Sequence, residues 1–129
     1  MTHTIIILTV GKDPILLETR NRVLRSAGYT VVSVMSIGEA MAKFLYGDFD
    51  LVLLCHTISK EDKERLAKVI RARGAQTPIV SVEDGTGVSG DGVADKILPK
   101  DPSRLLDGLH ELLERNGESI LRESSGQAQ

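Results

Sequence analysis

Two short segments bring together the residues of this chain with the clearest chemical potential. The first segment is Gly11, Lys12 and Asp13. It follows the apolar run Thr4–Val10, and Cys55 follows a second uncharged run, Leu51–Leu54. Both runs have the length and composition of buried strands. Because the carboxyl ends of parallel strands meet at one edge of an open α/β sheet, we expect both segments to lie together there.

A reactive thiol is one interpretation of Cys55. The charged residues expected around it are Lys12, Asp13, Glu83, Asp84 and Lys100. The lysines would stabilise a thiolate and lower its pKa, whereas the carboxylates would oppose this effect. His56 is adjacent, but neighbouring residues on an extended segment point to opposite sides, so a Cys–His pair is not predicted. The simpler interpretation is a small packed side chain, and both interpretations remain open at this point.

Strands alternating with capped helices organise the rest of the chain. Strands are predicted at residues 4–10, 30–34, 51–54, 78–82 and 94–98. Helices are predicted to begin after Asp13, Ser36, Ser59 and Asp101. Asp and Ser are favoured N-caps, and a proline at the first helical position or an acidic residue three positions after the cap strengthens the signal. This alternation predicts parallel βαβ units and a doubly wound five-stranded α/β sheet.

Apolar spacing predicts which helix faces are buried. In the first helix the predicted core positions are Leu16, Val23, Leu24 and Ala27, and the helix is expected to end at Gly28. The apolar face of the last helix is formed by Leu105, Leu106, Leu109, Leu112 and Leu113. The charged segment from Ser59 to Arg73 is interpreted as a helix whose charges face solvent.

The amino-acid composition indicates one globular domain and argues against nucleic-acid binding and membrane insertion. The chain has 129 residues, 41% apolar and 26% charged, which fits one globular domain at residues 1–116 with a polar, disordered tail at 117–129. A net charge of −2 and 3% aromatic residues give no basis for nucleic-acid binding. No apolar run approaches the roughly 20 residues needed to cross a membrane, and a single cysteine favours a reducing compartment. We therefore expect a cytoplasmic protein without membrane contact.

Motifs spread over residues 4–115 resemble the receiver domain of response regulators. The matching segments are Asp13-Pro14, Gly28-Tyr29, Gly38-Glu39-Ala40, Asp50–Leu54, Pro78–Val80, Ala94-Asp95 and Leu98–Lys100. Each segment is a weak signal alone, but their order and spacing together are specific. The resemblance implies a flavodoxin-like (CheY-like) sheet with strand order 2-1-3-4-5 and a role in two-component or phosphorelay signalling.

The chain departs from the family at the residues that carry the family's chemistry. Receivers accept a phosphoryl group on an aspartate that closes the third strand, and this position holds Cys55. Their acidic Mg²⁺-binding pair is replaced by Gly11 and Lys12, and their hydroxyl residue after the fourth strand by Glu83; only the basic residue, Lys100, is kept. The resemblance therefore implies a degenerate receiver, which is not an enzyme and has no metal or other cofactor.

A phosphorylation-independent interaction module is the function expected of such a chain. Its partner would be a signalling protein or a second copy, with Ile97, Leu105 and Leu109 as the expected contact face. The vacant pocket would be held shut by Lys12 and Lys100 pairing with the nearby carboxylates. A thiol-based redox sensor acting through Cys55 is the alternative.

The glycine-rich segment 83–92 also bears on the fold. Its Gly85-Thr-Gly87-Val-Ser-Gly90 run has the glycine spacing of a dinucleotide-binding motif but not the secondary structure around it. That motif needs a helix to begin within it, whereas here a short strand follows, so we predict a loop and a fourth family helix that is short or missing. The three histidines have no ligand spacing, and no metal site is predicted.

Overall fold

The computed structural model describes residues 4–73, 76–82 and 92–114. The strands are β1 (Ile6–Val10), β2 (Thr30–Val34), β3 (Leu51–Leu54), β4 (Ile79–Val82) and β5 (Lys96–Leu98). The helices are α1 (Pro14–Ser26), α2 (Ile37–Tyr46), α3 (Lys60–Ala72) and α4 (residues 102–114). All strand pairs are parallel, in the order β2-β1-β3-β4-β5. The predicted doubly wound sheet is confirmed; the loop predicted at 83–92 and the tail at 117–129 lie almost wholly outside the described residues.

The predicted helix starts are present as hydrogen-bonded caps. The Asp13 carboxylate accepts hydrogen bonds from the backbone N–H groups of Ile15 and Leu16 at 3.0 and 3.2 Å. Ser36 and Ser59 each accept one from the residue three positions on, both at 3.2 Å. The Asp101 carboxylate accepts one from the Arg104 N–H at 3.1 Å. Each cap satisfies a backbone donor that the first helical turn leaves free.

Strand β3 lies between two apolar layers. Val52 and Leu54 face the layer that contains α2 and α3, whereas Leu51 and Leu53 face the layer that contains α1 and α4. All four side chains are fully buried. Because alternate residues of a strand point to opposite faces, an uninterrupted apolar run is what a strand covered on both sides requires. This arrangement places Cys55 at the carboxyl end of the most buried strand.

The buried face of α1 differs from the prediction. Leu24 is buried as expected, but Leu16 is 39% exposed and Ala27 is exposed. The other buried positions are Leu17, Arg20 and Asn21. Polar side chains are tolerated there because they have buried partners: Thr9 Oγ1 donates to Asn21 Oδ1 at 2.8 Å, and Arg20 contacts Cys55. The apolar-spacing argument selected Leu16 instead of its neighbour Leu17, and it did not consider polar residues that have buried partners.

Two further predictions about exposure need correction. Leu105 and Leu109 are 1% and 0% exposed, because α4 packs them against the sheet, so they form core and not a contact face. Ile97 is half-buried. In α3, most charges face solvent as predicted, but Lys63 is buried with Leu66 and Ile70.

Two aspartates tie the amino ends of neighbouring strands together. The Asp50 carboxylate accepts a hydrogen bond from the Ile6 N–H at 2.8 Å, and the Asp95 carboxylate accepts one from the Ile79 N–H at 2.8 Å. In each pair the aspartate N–H also donates to the same residue's carbonyl, at 2.8 and 2.7 Å. Each aspartate thus directly precedes one strand and fixes the register of that strand against its neighbour in the sheet.

Replacing Asp50 with alanine is therefore expected to lower the free energy of unfolding by about 1–2 kcal/mol, because it leaves the part-buried Ile6 N–H without its acceptor. Urea unfolding followed by circular dichroism measures this change. Asp48→Ala is the matched control, since Asp48 is exposed two positions away, and its effect should stay within about 0.5 kcal/mol. Equal effects of the two substitutions would contradict a structural role for Asp50.

Candidate functional site

The structure brings Gly11, Lys12 and Cys55 together at the carboxyl ends of β1 and β3. The Cys55 N–H donates to the Val10 carbonyl at 2.9 Å, which continues the β1–β3 ladder to the edge of the sheet. The Lys12 N–H donates to Thr57 Oγ1 at 2.9 Å and links the two loops. A Cβ atom added to Gly11 would lie 3.1 Å from Cys55 Sγ, so the two residues are in close contact.

Arg20 is the residue that sequence reasoning missed at this site. Its Nη1 donates a hydrogen bond to Cys55 Sγ at 3.0 Å, and the two residues are 9% and 2% exposed. A signal was present in the sequence, because Arg20 lies three positions after Leu17 and four before Leu24, on the buried stripe of α1. A guanidinium on that buried face needs a hydrogen-bond acceptor near the sheet. Cys55 Sγ, at the end of β3, is that acceptor.

The thiol of Cys55 is held mainly in its neutral form. Burial raises its pKa above the ordinary value of a cysteine. The positive charge and hydrogen bond of Arg20, followed by the charge of Lys63, act in the opposite direction but do not cancel the effect of burial. His56 does not assist, because its Nδ1 is buried without a hydrogen-bond partner in the part of the chain described. The arrangement is that of a packed, hydrogen-bonded thiol.

Where the structure describes the remaining predicted site residues, their side chains have other roles than the expected pairs. Lys12 Nζ forms an ion pair with Asp62 at 3.6 Å, a carboxylate outside the predicted set of Asp13, Glu83 and Asp84. Asp13 uses its carboxylate to cap α1 instead. Lys100 is exposed, two positions after the end of β5, and Glu83 and Asp84 lie outside the described residues. The Lys12–Asp62 pair is partly solvated and contributes little to stability.

These residues do not fit the magnesium ion that receivers use. Magnesium prefers an octahedral set of hard oxygen ligands, usually including carboxylates. Here the corresponding positions hold a glycine without a side chain, a lysine ammonium and a thiol, and the Arg20 guanidinium adds a buried positive charge. Within the described residues, no group of three or more His, Cys, Asp or Glu side chains is placed to hold a metal ion.

Several solved receiver structures share this fold. A CheY-like receiver domain from Methanospirillum hungatei JF-1 is 25% identical, with a TM-score of 0.74, over 91% of this chain and 99% of that one. The receiver domain of a putative LuxO repressor from Vibrio parahaemolyticus is 16% identical, with a TM-score of 0.77, over 94% and 98%. Chemotaxis response regulator CheY4 of Vibrio cholerae is 23% identical, with a TM-score of 0.72, over 84% and 98%.

The protein therefore has the fold of the CheY-like receiver domains of two-component response regulators, which confirms the resemblance drawn from its motifs. The sequence itself matches no protein-family model, and no curated protein matches it. Within the described residues, no helix is both long and apolar enough to cross a membrane.

Proposed function

We propose that this chain is a receiver-like signalling module that acts by protein contact and does not depend on phosphorylation. The observation that carries the proposal is the Arg20–Cys55 hydrogen bond at the position where a receiver has its acceptor aspartate. A neutral thiol replaces the nucleophilic carboxylate, and a guanidinium lies against it. The chain thus keeps the receiver scaffold without the groups that would accept a phosphoryl group.

The packing of the site also supports a single fixed state. Cys55 is 2% exposed and Gly11 is buried against it, so a phosphoryl group would have to displace the surrounding side chains. Close-packed interiors resist such displacement, since even one added methylene usually costs about 1–3 kcal/mol. A receiver that cannot change state at this site would present a constant surface to its partner.

The redox alternative has less support. Reactive cysteines are partly exposed and carry a lowered pKa, whereas Cys55 is buried and its pKa is raised. Arg20 is the one feature that favours a thiolate, and its effect is smaller than that of burial. We propose a cytoplasmic location because the chain has a single cysteine, and a protein partner because of its receiver fold.

Incubation with acetyl phosphate and Mg²⁺ is expected to add no phosphoryl group to the protein, because the site lacks both the acceptor and the carboxylate ligands of the metal. Intact mass spectrometry at neutral pH measures the adduct. A receiver domain with its aspartate, treated in parallel, is the positive control. A phosphoryl adduct on this protein would overturn the proposal.

The variant Cys55→Asp sharpens this test. It restores an acceptor carboxylate but leaves Gly11, Lys12 and Arg20 unchanged, so we expect it to remain unmodified under the same conditions. Phosphorylation of this variant would show that magnesium can act here without the acidic pair. It would contradict the interpretation that Gly11 and Lys12 leave the site without ligands for the metal.

A further inference from the structure

Strand β2 forms one edge of the described sheet and has backbone groups that no neighbouring strand uses. The Thr30 N–H donates to the Ile5 carbonyl at 2.9 Å, and the Val34 carbonyl accepts from the Gly11 N–H at 3.2 Å. The backbone groups of Thr30 and Val34 therefore point toward β1. Because backbone groups alternate in direction along a strand, Val31 and Ser33 direct their N–H and C=O groups outward. These are the groups that would pair with an added strand.

The edge lacks the features that usually prevent such pairing. Natural edge strands carry a charged residue, a proline or a bulge that blocks addition of another strand. The sequence of β2 is Thr-Val-Val-Ser-Val, and its register against β1 is regular throughout. The residues on either side, Tyr29 and Met35, are also uncharged. Nothing within or directly beside β2 would therefore repel a second strand.

A groove lies beside this edge, on the face of the sheet that α2 covers. Its volume is about 390 Å³, and its floor is formed by Val32 and Phe49. One stripe of α2 lines its wall: Glu39, Ala42, Lys43 and Tyr46. Tyr46 is 91% exposed, and Leu45 beside it is 41% exposed. This surface is apolar at its base and carries one charge of each sign on its wall.

We infer that two copies of this chain associate through antiparallel pairing of their β2 edges about a two-fold axis at Val32. In that arrangement Val31 of each copy lies opposite Ser33 of the other, so the outward backbone groups of both strands are satisfied. The two Val32 side chains meet at the base of the joined grooves. This inference deepens the proposed function, on which it rests, by naming the contact surface and the partner.

The charges on α2 select a second copy as the occupant. Strands are spaced about 4.8 Å apart and helices pack about 8–10 Å apart, so two α2 helices that flank a β2–β2 pair are close enough to pack. Because the two-fold axis makes them antiparallel, Glu39 of each copy faces Lys43 of the other. Such an interface is self-complementary, because the two-fold axis generates the Glu39–Lys43 contact twice, once from each copy.

Sedimentation equilibrium of the full chain over a range of micromolar concentrations tests the inference. The wild-type protein is expected to show a monomer–dimer equilibrium. Ser33→Pro removes an outward N–H while leaving the β1–β2 ladder intact, and it should weaken the dimer about tenfold or more. Far-ultraviolet circular dichroism and thermal unfolding establish that the variant remains folded.

Charge reversal gives a second test that does not alter the backbone. Glu39→Lys and Lys43→Glu each place like charges opposite each other and should each weaken the dimer about tenfold, whereas the double variant should restore it. Lys68→Glu, on the exposed face of α3, is the matched control and should leave the dimer unchanged. Restoration by the double variant is specific to a partner that carries the same two residues.

A wild-type protein that remains monomeric at every concentration would overturn the inference, as would a dimer that none of these variants weakens. Neither outcome bears on phosphorylation, which intact mass after acetyl phosphate treatment reports separately. Conversely, a phosphoryl adduct on a protein that still dimerises through β2 would overturn the proposed function and leave the surface in place.

Discussion

Iodoacetamide is expected to alkylate Cys55 in the folded protein at least about a hundredfold more slowly than in the unfolded protein. The side chain is 2% exposed, Arg20 Nη1 donates to its sulfur, and burial raises its pKa, so both access and thiolate formation are restricted. Quenched time points analysed by intact mass, in buffer and in concentrated urea, give the two rates.

The pH dependence of labelling separates access from ionisation. Because the pKa of the folded thiol is raised, its rate should begin to rise at a higher pH than the rate for the unfolded chain. The same shift affects stability. The neutral buried thiol contributes its full stabilisation below the ordinary cysteine pKa, and this contribution is lost as the pH rises through the raised value in the folded state. Fast native labelling below neutral pH would contradict this account and favour the redox sensor.

Local sequence signals predicted most of the fold because they have local physical causes. Asp13, Ser36, Ser59 and Asp101 cap helices as expected, since a cap needs only a side chain within reach of the next turn. The run Leu51–Leu54 predicted the central strand because its four residues must bury side chains on both faces. Strand ends were less accurate, as β1 begins at Ile6 and β5 at Lys96, where pairing with a neighbour decides the boundary.

The site was less predictable because its contacts join distant parts of the chain. The sequence placed Gly11, Lys12 and Cys55 at one edge of the sheet, where the structure also has them, since strand order alone determines that. It did not predict Arg20 or Lys63, whose burial depends on an acceptor or partner elsewhere in the fold. Leu105 and Leu109 were assigned to a contact surface, but their helical spacing describes a core face equally well.

Arg20 distinguishes the site around Cys55 from a receiver pocket that only lacks its acidic residues. An acidic pair in a receiver attracts a cation from solution, whereas this chain carries its own cation within hydrogen-bond distance of the Cys55 sulfur. Within the described residues the only hydrogen bond of Arg20 is to this thiol, and its side chain forms none of their ion pairs. Burying a guanidinium is costly, and a hydrogen bond to a neutral thiol offsets its desolvation less than an anion would.

Replacing Arg20 with methionine is accordingly expected to raise the free energy of unfolding by about 1–4 kcal/mol. Methionine has a flexible apolar side chain that fills a similar space, so the core keeps its packing while the buried charge is removed. Urea unfolding at neutral pH measures the change. Arg22→Met is the matched control on the same helix, because the Arg22 side chain is 79% exposed, and its effect should stay within about 0.5 kcal/mol.

A decrease of more than about 1 kcal/mol in Arg20→Met would show instead that the contact with Cys55 outweighs the desolvation of the guanidinium. The iodoacetamide rate of the same variant adds a readout that stability alone does not provide. Without the positive charge the pKa of Cys55 should rise further, and native labelling should slow once any change in stability is taken into account. A variant that is more stable and less reactive would identify Arg20 as a group that sets the chemistry of Cys55 at the expense of the fold.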